Sequence, residues 1–161
     1  MNKFILLFML IIFSLTAFTS PATAAPAEKF SIQIPRDWKV KSNAEGLNLA
    51  ATSPDKKVIL TVNIAPADVS LQEFFQGGLG ILEKTVQGYS QIETGETTLD
   101  GIPTNWLIHS AKMADGIMVN WQFFLIKDNF AYLIIVSSPA EDFAANRDNI
   151  LKLVNTFKFV K

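Results

Sequence analysis

Three long apolar runs follow one another within residues 102–137, and they constrain the fold more than any other part of the chain. The runs are rich in β-branched and aromatic residues, and two pairs of turn residues, Asp115 with Gly116 and Asp128 with Asn129, separate them. Such runs joined by short turns are typical of successive antiparallel hairpins. The sequence therefore predicts a meander of three strands.

Pairing the three strands through these turns predicts a register. The first turn places Trp106 opposite Leu125 and His109 opposite Gln122, and the second places Leu125 opposite Tyr132. Side chains alternate between the two faces of a strand. One face, expected to be core, then collects Trp106, Ile108, Trp121, Phe123, Leu125, Tyr132, Ile134 and Val136. The other face is mixed and carries Asn105, His109, Asn120, Gln122 and Ser137 among apolar neighbours.

The first residues have the features of an export signal. Lys3 provides a positive start, residues 4–18 are mostly apolar, and the small residues Ala-Thr-Ala follow at 22–24. This order is typical of a secretory signal peptide, so residues 1–24 are interpreted as a signal and residues 25–29 as a tether. An uncleaved membrane anchor is the alternative, but the apolar run is shorter than the roughly 20 residues that span a bilayer.

Residues 30–161 are long enough for a single domain with its own core and too short for two ordinary domains. Without the signal, the chain has thirteen Lys and Arg residues against fifteen Asp and Glu residues. This near-neutral charge provides no basic footprint for nucleic acid. The sequence contains no cysteine, which excludes disulfides, thiol catalysis, thiolate metal sites and lipid attachment through cysteine.

The pattern outside the meander predicts further strands and two helices. Ser70 to Glu73 and Ser138 to Glu141 both match the capping box that begins a helix, with Pro139 at the first position of the second helix. Strands are predicted over residues 30–34, 47–51, 58–64 and 90–99, and residues 155–160 are predicted to be a short terminal strand or an extended tail. This order of elements predicts an α+β fold, in which helices flank a mainly antiparallel sheet.

The first predicted helix contains three glycines, Gly77, Gly78 and Gly80. Each costs a helix about 1 kcal/mol relative to alanine. Three explanations are compatible with the sequence: a close approach of the helix to the sheet, a kink, or a crevice for a ligand. Mid-helix glycines usually have packing reasons, so the close approach is favoured.

Several segments together have a recognisable pattern: Phe30-x-Ile-x-Ile-Pro-x-x-Trp38, Thr97-x-x-Asp-Gly-Ile-Pro103, Tyr132-Leu-Ile-Ile and Asn155-Thr-Phe-Lys158. Over about residues 28–160 the chain resembles the PsbP-like superfamily, which includes PsbP, the Ran-binding Mog proteins and exported proteins of the DcrB type. The resemblance implies an α/β/α sandwich and an accessory, chaperone or binding function. It transfers no functional residue, and the chain lacks the lipid-attachment cysteine that is frequent in DcrB-type proteins.

His109 is the only histidine, so a Ser-His-acid triad would have to use it. The alternative is a hydrogen-bonded histidine on a sheet face beneath a helix, which is favoured because the predicted register brings no acid close. The acidic pairs Glu93 with Glu96 and Glu141 with Asp142 lack the spacing of a calcium loop, and one histidine does not make a zinc site. No metal or other cofactor is predicted.

One basic cluster stands out, consisting of Lys29, Arg36, Lys39 and Lys41. It could meet an acidic partner or anionic lipid head groups. A solvated surface is the alternative, because Asp37 and Glu45 lie among these cations.

The sequence as a whole predicts an exported, periplasmic or secreted, non-enzymatic protein that binds a protein partner in the cell envelope. No nucleic acid and no stable membrane span are expected. The predicted partner surface is the mixed sheet face at Asn105, His109, Asn120 and Gln122, or the basic cluster at Arg36, Lys39 and Lys41. Two other functions remain open. One is a carrier that holds a small apolar ligand between the glycine-rich helix and the sheet. The other is a hydrolase with His109 beside an acid and a hydroxyl in one cleft.

Overall fold

The computed structural model describes residues 30–44 and 47–160. The predicted signal peptide and tether lie outside the described residues. Within these residues the order of elements is β1 (Phe30–Ser31), β2 (Lys39–Ala44), β3 (Leu47–Thr52), β4 (Ile59–Pro66), α1 (Leu71–Thr85), β5 (Ser90–Leu99), β6 (Ile102–Met113), β7 (Gly116–Lys127), β8 (Phe130–Pro139), α2 (Ala140–Val154) and β9 (Lys158–Phe159).

Seven strands form one antiparallel sheet in the order β2-β3-β4-β8-β7-β6-β5, and β1 pairs with β9 in a separate two-stranded sheet. The predicted meander is β6, β7 and β8. The strand predicted over residues 90–99 is the edge strand β5, while the opposite edge strand, β2, was not predicted. Strand β1 is shorter than the predicted strand over residues 30–34.

The second hairpin has the predicted register and the first does not. Asp128 and Asn129 both have a positive φ in the turn between β7 and β8, and Leu125 pairs with Tyr132. In the first hairpin, however, Met113 pairs with Gly116, so the turn lies one residue earlier than predicted. Gly116, with a φ of 136°, follows this turn instead of lying within it.

The correction to the first hairpin changes partners but not faces. Trp106 pairs with Phe123 instead of Leu125, and His109 pairs with Asn120 instead of Gln122. The displacement along the partner strand is two residues. Because side chains alternate with a period of two, each side chain keeps its predicted face.

Each face of the sheet is covered by one helix. Helix α2 packs on β7 and β8, and its buried residues join the core of the apolar face, which includes Leu60, Ile108, Trp121, Phe123, Leu125, Tyr132, Ile134 and Val136. Helix α1 packs on β6 and β7 of the mixed face, where Phe75 and Leu82 contact Leu107, Phe124, Leu133 and Ile135. This arrangement confirms the predicted α+β fold, an α/β/α sandwich. No helix in the described part of the chain is long and apolar enough to cross a membrane.

Only one of the two predicted capping boxes forms. At the start of α1, the backbone N–H of Glu73 donates to Ser70 Oγ, while Glu73 Oε2 accepts from the Ser70 N–H at 2.8 Å. Ser138 does not cap α2, because it is still part of β8 and pairs with Val119. Pro139 is the N-cap residue and makes no side-chain capping bond. The prediction of a second capping box, with Pro139 inside the helix, was therefore wrong.

Candidate functional site

The four polar residues predicted on the mixed face lie on β6 and β7, but they do not form an exposed surface. Their exposed fractions are 8% for Asn105, 0% for His109, 3% for Asn120 and 1% for Gln122. Helix α1 packs over these two strands, which a partner therefore cannot reach from that side in this structure. The burial of His109 beneath a helix agrees with the interpretation that the sequence favours. A role of these four residues in partner binding stays a prediction.

His109 is held as a neutral ring. Its Nδ1 lies 3.2 Å from the carbonyl oxygen of Ser110, and its Nε2 lies 3.0 Å from the amide nitrogen of Gln122. A carbonyl oxygen can only accept, so Nδ1 carries the proton and Nε2 accepts from Gln122. Burial lowers the pKa of the His109 ring below its ordinary value, although the bond to Ser110 acts in the opposite direction.

The surroundings of His109 differ from those of a catalytic base. Both ring nitrogens are used by Ser110 and Gln122, and the ring of Tyr89 lies 5.2 Å away between centroids. No exposed surface remains on His109 from which it could reach a substrate, so the arrangement required by the hydrolase alternative does not form. Within residues 30–44 and 47–160, no three His, Asp or Glu side chains converge on a point that could hold a metal ion.

The buried polar set extends further across the sheet than predicted. Asn120 Oδ1 accepts from Ser137 Oγ at 2.6 Å. On β4, Thr61 Oγ1 and Asn63 Oδ1 are buried without a hydrogen-bond partner among the described residues. Asn63 pairs with Leu133, which packs against α1. The alternation of polar and apolar residues in β4 is a signal that could have identified this pair, because polar residues occupy the side away from the apolar core.

The glycines of α1 have different surroundings. A Cβ on Gly78 would lie 2.6 Å from Cε1 of Phe124, so this glycine permits a close approach of the sheet. A Cβ on Gly77 or Gly80 would meet nothing within 4 Å. The close approach is thus confirmed for Gly78 only. The helix is continuous over Leu71–Thr85, so no kink interrupts it at these glycines.

A cavity of about 120 Å³ lies between α1 and the sheet, at the place where the carrier alternative locates its ligand. Phe74, Ile81, Phe124 and Leu133 line it, together with Gln122. Its volume is well below the roughly 300–1,000 Å³ of typical ligand pockets. A cavity of this size can hold a single small group but not a lipid chain or a nucleotide.

The basic cluster lies at the edge of the sheet, and its three described members are exposed. Arg36 lies in the turn before β2, and Lys39 and Lys41 are part of β2. The register of β2 with β3 and of β3 with β4 places both lysines on the same face of the sheet as Thr61. Lys29 lies outside the described residues. Sequence reasoning identified these cations but not the strand that carries two of them.

Comparisons with known proteins bear on the fold. Protein-family models and curated protein sequences yield no match. Among solved structures, LpqN, which is involved in cell envelope biogenesis of Mycobacterium tuberculosis, superposes with a TM-score of 0.68 at 12% identity, covering 82% of this chain and 83% of LpqN. Cyanobacterial PsbP from Synechocystis sp. PCC 6803 has a TM-score of 0.64 at 11% identity, covering 88% of this chain and 98% of PsbP.

A variant of Mog1 also superposes, with a TM-score of 0.57 at 11% identity, covering 83% of this chain and 92% of Mog1. Identities this low establish a shared fold and no shared activity. These superpositions cover at least 82% of this chain. The chain therefore has the PsbP-like fold.

Proposed function

We propose that this protein is an exported, non-enzymatic accessory protein that binds a protein partner in the cell envelope. The signal-like sequence of residues 1–24 supports export. The fold is shared with LpqN, a protein involved in cell envelope biogenesis. Because one fold can serve many functions, the proposal depends on a site of this chain.

The observation that carries the proposal is the exposure of Arg36, Lys39 and Lys41 at one edge of the sheet. Of the two surfaces predicted from the sequence, the mixed sheet face is buried and this basic edge is accessible. Positive groups on an exposed edge attract an acidic surface, which speeds encounter and selects the partner. The proposed partner therefore presents carboxylates to β2.

Lysines on an edge strand also have a second possible role, since they discourage edge-to-edge pairing between sheets. The two roles predict different effects of a charge reversal. If Lys39 only prevents aggregation, its loss promotes self-association and leaves partner binding intact. If it docks a partner, its loss weakens partner binding in the monomeric protein.

The test is recovery of partners by cross-linking in the native envelope, followed by affinity purification of the tagged full-length protein and mass spectrometry. The test variant combines Arg36→Glu with Lys39→Glu. The control combines Lys56→Glu with Lys112→Glu, which makes the same change of charge at exposed residues elsewhere. We expect the test variant to recover at least about fivefold less of a specific partner, equivalent to about 1 kcal/mol, and the control to recover a normal amount.

Three results would contradict the proposal. Equal recovery of every partner by the wild type and the test variant would exclude the basic edge as the docking site. Fractionation of the protein with the cytoplasm would exclude export. A hydrolytic activity that His109→Gln abolishes in a folded protein would exclude a non-enzymatic function.

A further inference from the structure

Helix α1 does not fill the space above the sheet along its whole length. Phe75 and Leu82 are buried against the sheet, while a cavity of about 120 Å³ remains beside them. Its apolar walls come from Phe74 and Ile81 on the helix and from Phe124 and Leu133 on the sheet. These walls offer dispersion contacts to a hydrocarbon group and no charge.

Gly77 leaves one side of this cavity unobstructed. It borders the cavity, and a Cβ at this position would meet nothing within 4 Å. Gly78 also borders the cavity, but the Phe124 ring explains its lack of a side chain. No contact of the described residues requires a glycine at position 77. The effect of this glycine is to keep the space beside α1 open.

The cavity also has a polar side, which Gln122 provides. Gln122 lines the cavity and is 1% exposed, and its amide nitrogen already donates to His109. Gln122 can still offer an occupant its carbonyl oxygen, an acceptor, and the second N–H of its amide, a donor. On the neighbouring part of the same face, Asn63 Oδ1 and Thr61 Oγ1 are buried without partners among the described residues, and Asn63 pairs with the wall residue Leu133. Asn120 Nδ2, a donor on the same face, is likewise buried without a partner among the described residues. Buried polar atoms are normally satisfied, so this face can both accept and donate further hydrogen bonds.

Glu73 restricts the charge of an occupant. It borders the cavity, and its bonds to Ser70 lower the pKa of the carboxyl group. The side chain is therefore anionic at neutral pH and repels a second anion. A carboxylate or phosphate ligand is disfavoured.

We infer that this cavity is a binding site for a small, neutral, compact apolar molecule that carries one hydroxyl group, which can both donate and accept a hydrogen bond. An apolar cavity of about 150 Å³ in another protein accommodates benzene, so about one six-membered ring fits here. Phenol has the required size, neutrality and hydroxyl group. The hydroxyl donates to the carbonyl oxygen of Gln122 or accepts from its amide N–H, and the ring lies between Phe74 and Leu133.

The test is a titration of the purified full-length protein with phenol, toluene and benzoate, monitored by NMR of its methyl groups. We expect phenol to shift the methyl signals of Ile81 and Leu133 saturably and to leave Leu151, which is exposed on α2, unchanged. Toluene lacks the hydroxyl group and should bind about fivefold more weakly. Benzoate should cause no saturable shift, because its charge is opposed by Glu73.

Two glycine variants form a matched pair for this test. Gly77→Leu and Gly80→Leu both introduce a side chain where a Cβ has free space, but only Gly77 borders the cavity. We expect Gly77→Leu to abolish the phenol shifts and Gly80→Leu to retain them. If Gly77→Leu does not fold, an increase of the wild-type Tm with phenol concentration still tests binding to the native state.

The inference would be overturned by phenol shifts that do not saturate up to its solubility limit, or by an unchanged Tm. Full phenol binding by a folded Gly77→Leu variant would place the ligand elsewhere and would also overturn it. Toluene binding as tight as that of phenol would overturn the role assigned to the hydroxyl group of the ligand. Loss of partner binding at the basic edge would affect none of these results, because Arg36 and Lys39 do not border the cavity.

Discussion

His109 connects two strands as a buried neutral ring. Its proton lies on Nδ1 because the Ser110 carbonyl accepts there, and Nε2 accepts from Gln122. Protonation of Nε2 would place a second donor against the amide nitrogen and a charge in the interior, which has a large free-energy cost. The folded protein therefore favours the uncharged ring.

This burial predicts a loss of stability in mild acid. In the unfolded chain the His109 pKa has its ordinary value near 6.5, and in the folded protein burial lowers the pKa. As the pH falls below about 6.5, the unfolded chain binds a proton that the folded protein does not, so the free energy of unfolding decreases until the lowered pKa is passed. Between pH 8 and pH 5, we expect the wild type to lose more stability than His109→Gln.

Urea denaturation at both pH values measures this difference. His109→Gln is a suitable control, because Asp and Glu residues titrate in the same way in both proteins and no other histidine occurs. A loss of stability that is equal in the two proteins would contradict the assignment of His109 as a buried neutral residue.

The packing of helix α1 on the sheet requires a close approach to β7 at Gly78. Gly78 lies against Phe124, whose ring also makes edge-on contacts with Phe74 and Phe75 at centroid distances of 5.3 and 5.2 Å. The Phe124 ring is 1% exposed, so it cannot move aside without disturbing its neighbours. Gly77, one position earlier, has no such constraint.

We predict that Gly78→Ala and Gly77→Ala change stability in opposite directions. Overpacking against Phe124 should cost Gly78→Ala about 1–2 kcal/mol net, since it exceeds the gain in helix propensity. Gly77→Ala should gain up to about 1 kcal/mol from helix propensity. Chemical denaturation of both variants measures the difference, and stabilisation by Gly78→Ala would show that the helix and the sheet can separate at low cost.

The two ends of the described chain meet across the molecule. Strand β1 pairs with β9, and the ring of Phe30 stacks on that of Phe157 at 5.4 Å between centroids. Asp100, in the turn between β5 and β6, accepts from the Phe159 backbone N–H at 2.9 Å and from Lys158 Nζ at 3.0 Å. These two bonds lower the pKa of the Asp100 carboxyl group. The turn therefore holds β9 against the main sheet.

We predict that Asp100→Gly releases β9 and that Asp128→Gly does not. Both aspartates have a positive φ, which glycine adopts without strain. Asp128 forms an exposed ion pair with Lys127. Asp100 forms an ion pair with Lys158 and also accepts a hydrogen bond from the backbone N–H of Phe159. Hydrogen exchange at the Phe159 amide should accelerate several-fold in Asp100→Gly and remain unchanged in Asp128→Gly. Equal exchange in both variants would show that strand pairing with β1 holds β9 by itself.

Elements that depend on nearby residues could be predicted from the sequence. The Asp128-Asn129 turn, the Ser70 capping box and the alternation that identifies the core face are all set by interactions within a few residues. The first hairpin was predicted less well, because a glycine can lie within a turn or after it. Its faces were nevertheless correct, since an even displacement preserves the alternation.

The candidate site was less predictable, because accessibility depends on what packs above a residue. Asn120 and Gln122 are polar residues on a strand, and only the position of α1 makes them buried. Ser138 has the sequence of a helix cap, but its pairing with Val119 keeps it in a strand.

The sequence by itself determined most of the strands, the two helices and the faces of the meander, since these follow from local conformational preference and the period of two. Only the tertiary structure decided which polar groups are buried and that a cavity remains beside Gly77. It also showed that Phe124 leaves no room for a side chain at Gly78. These features arise from contacts between residues distant in the chain, and their spacing along the sequence does not encode them.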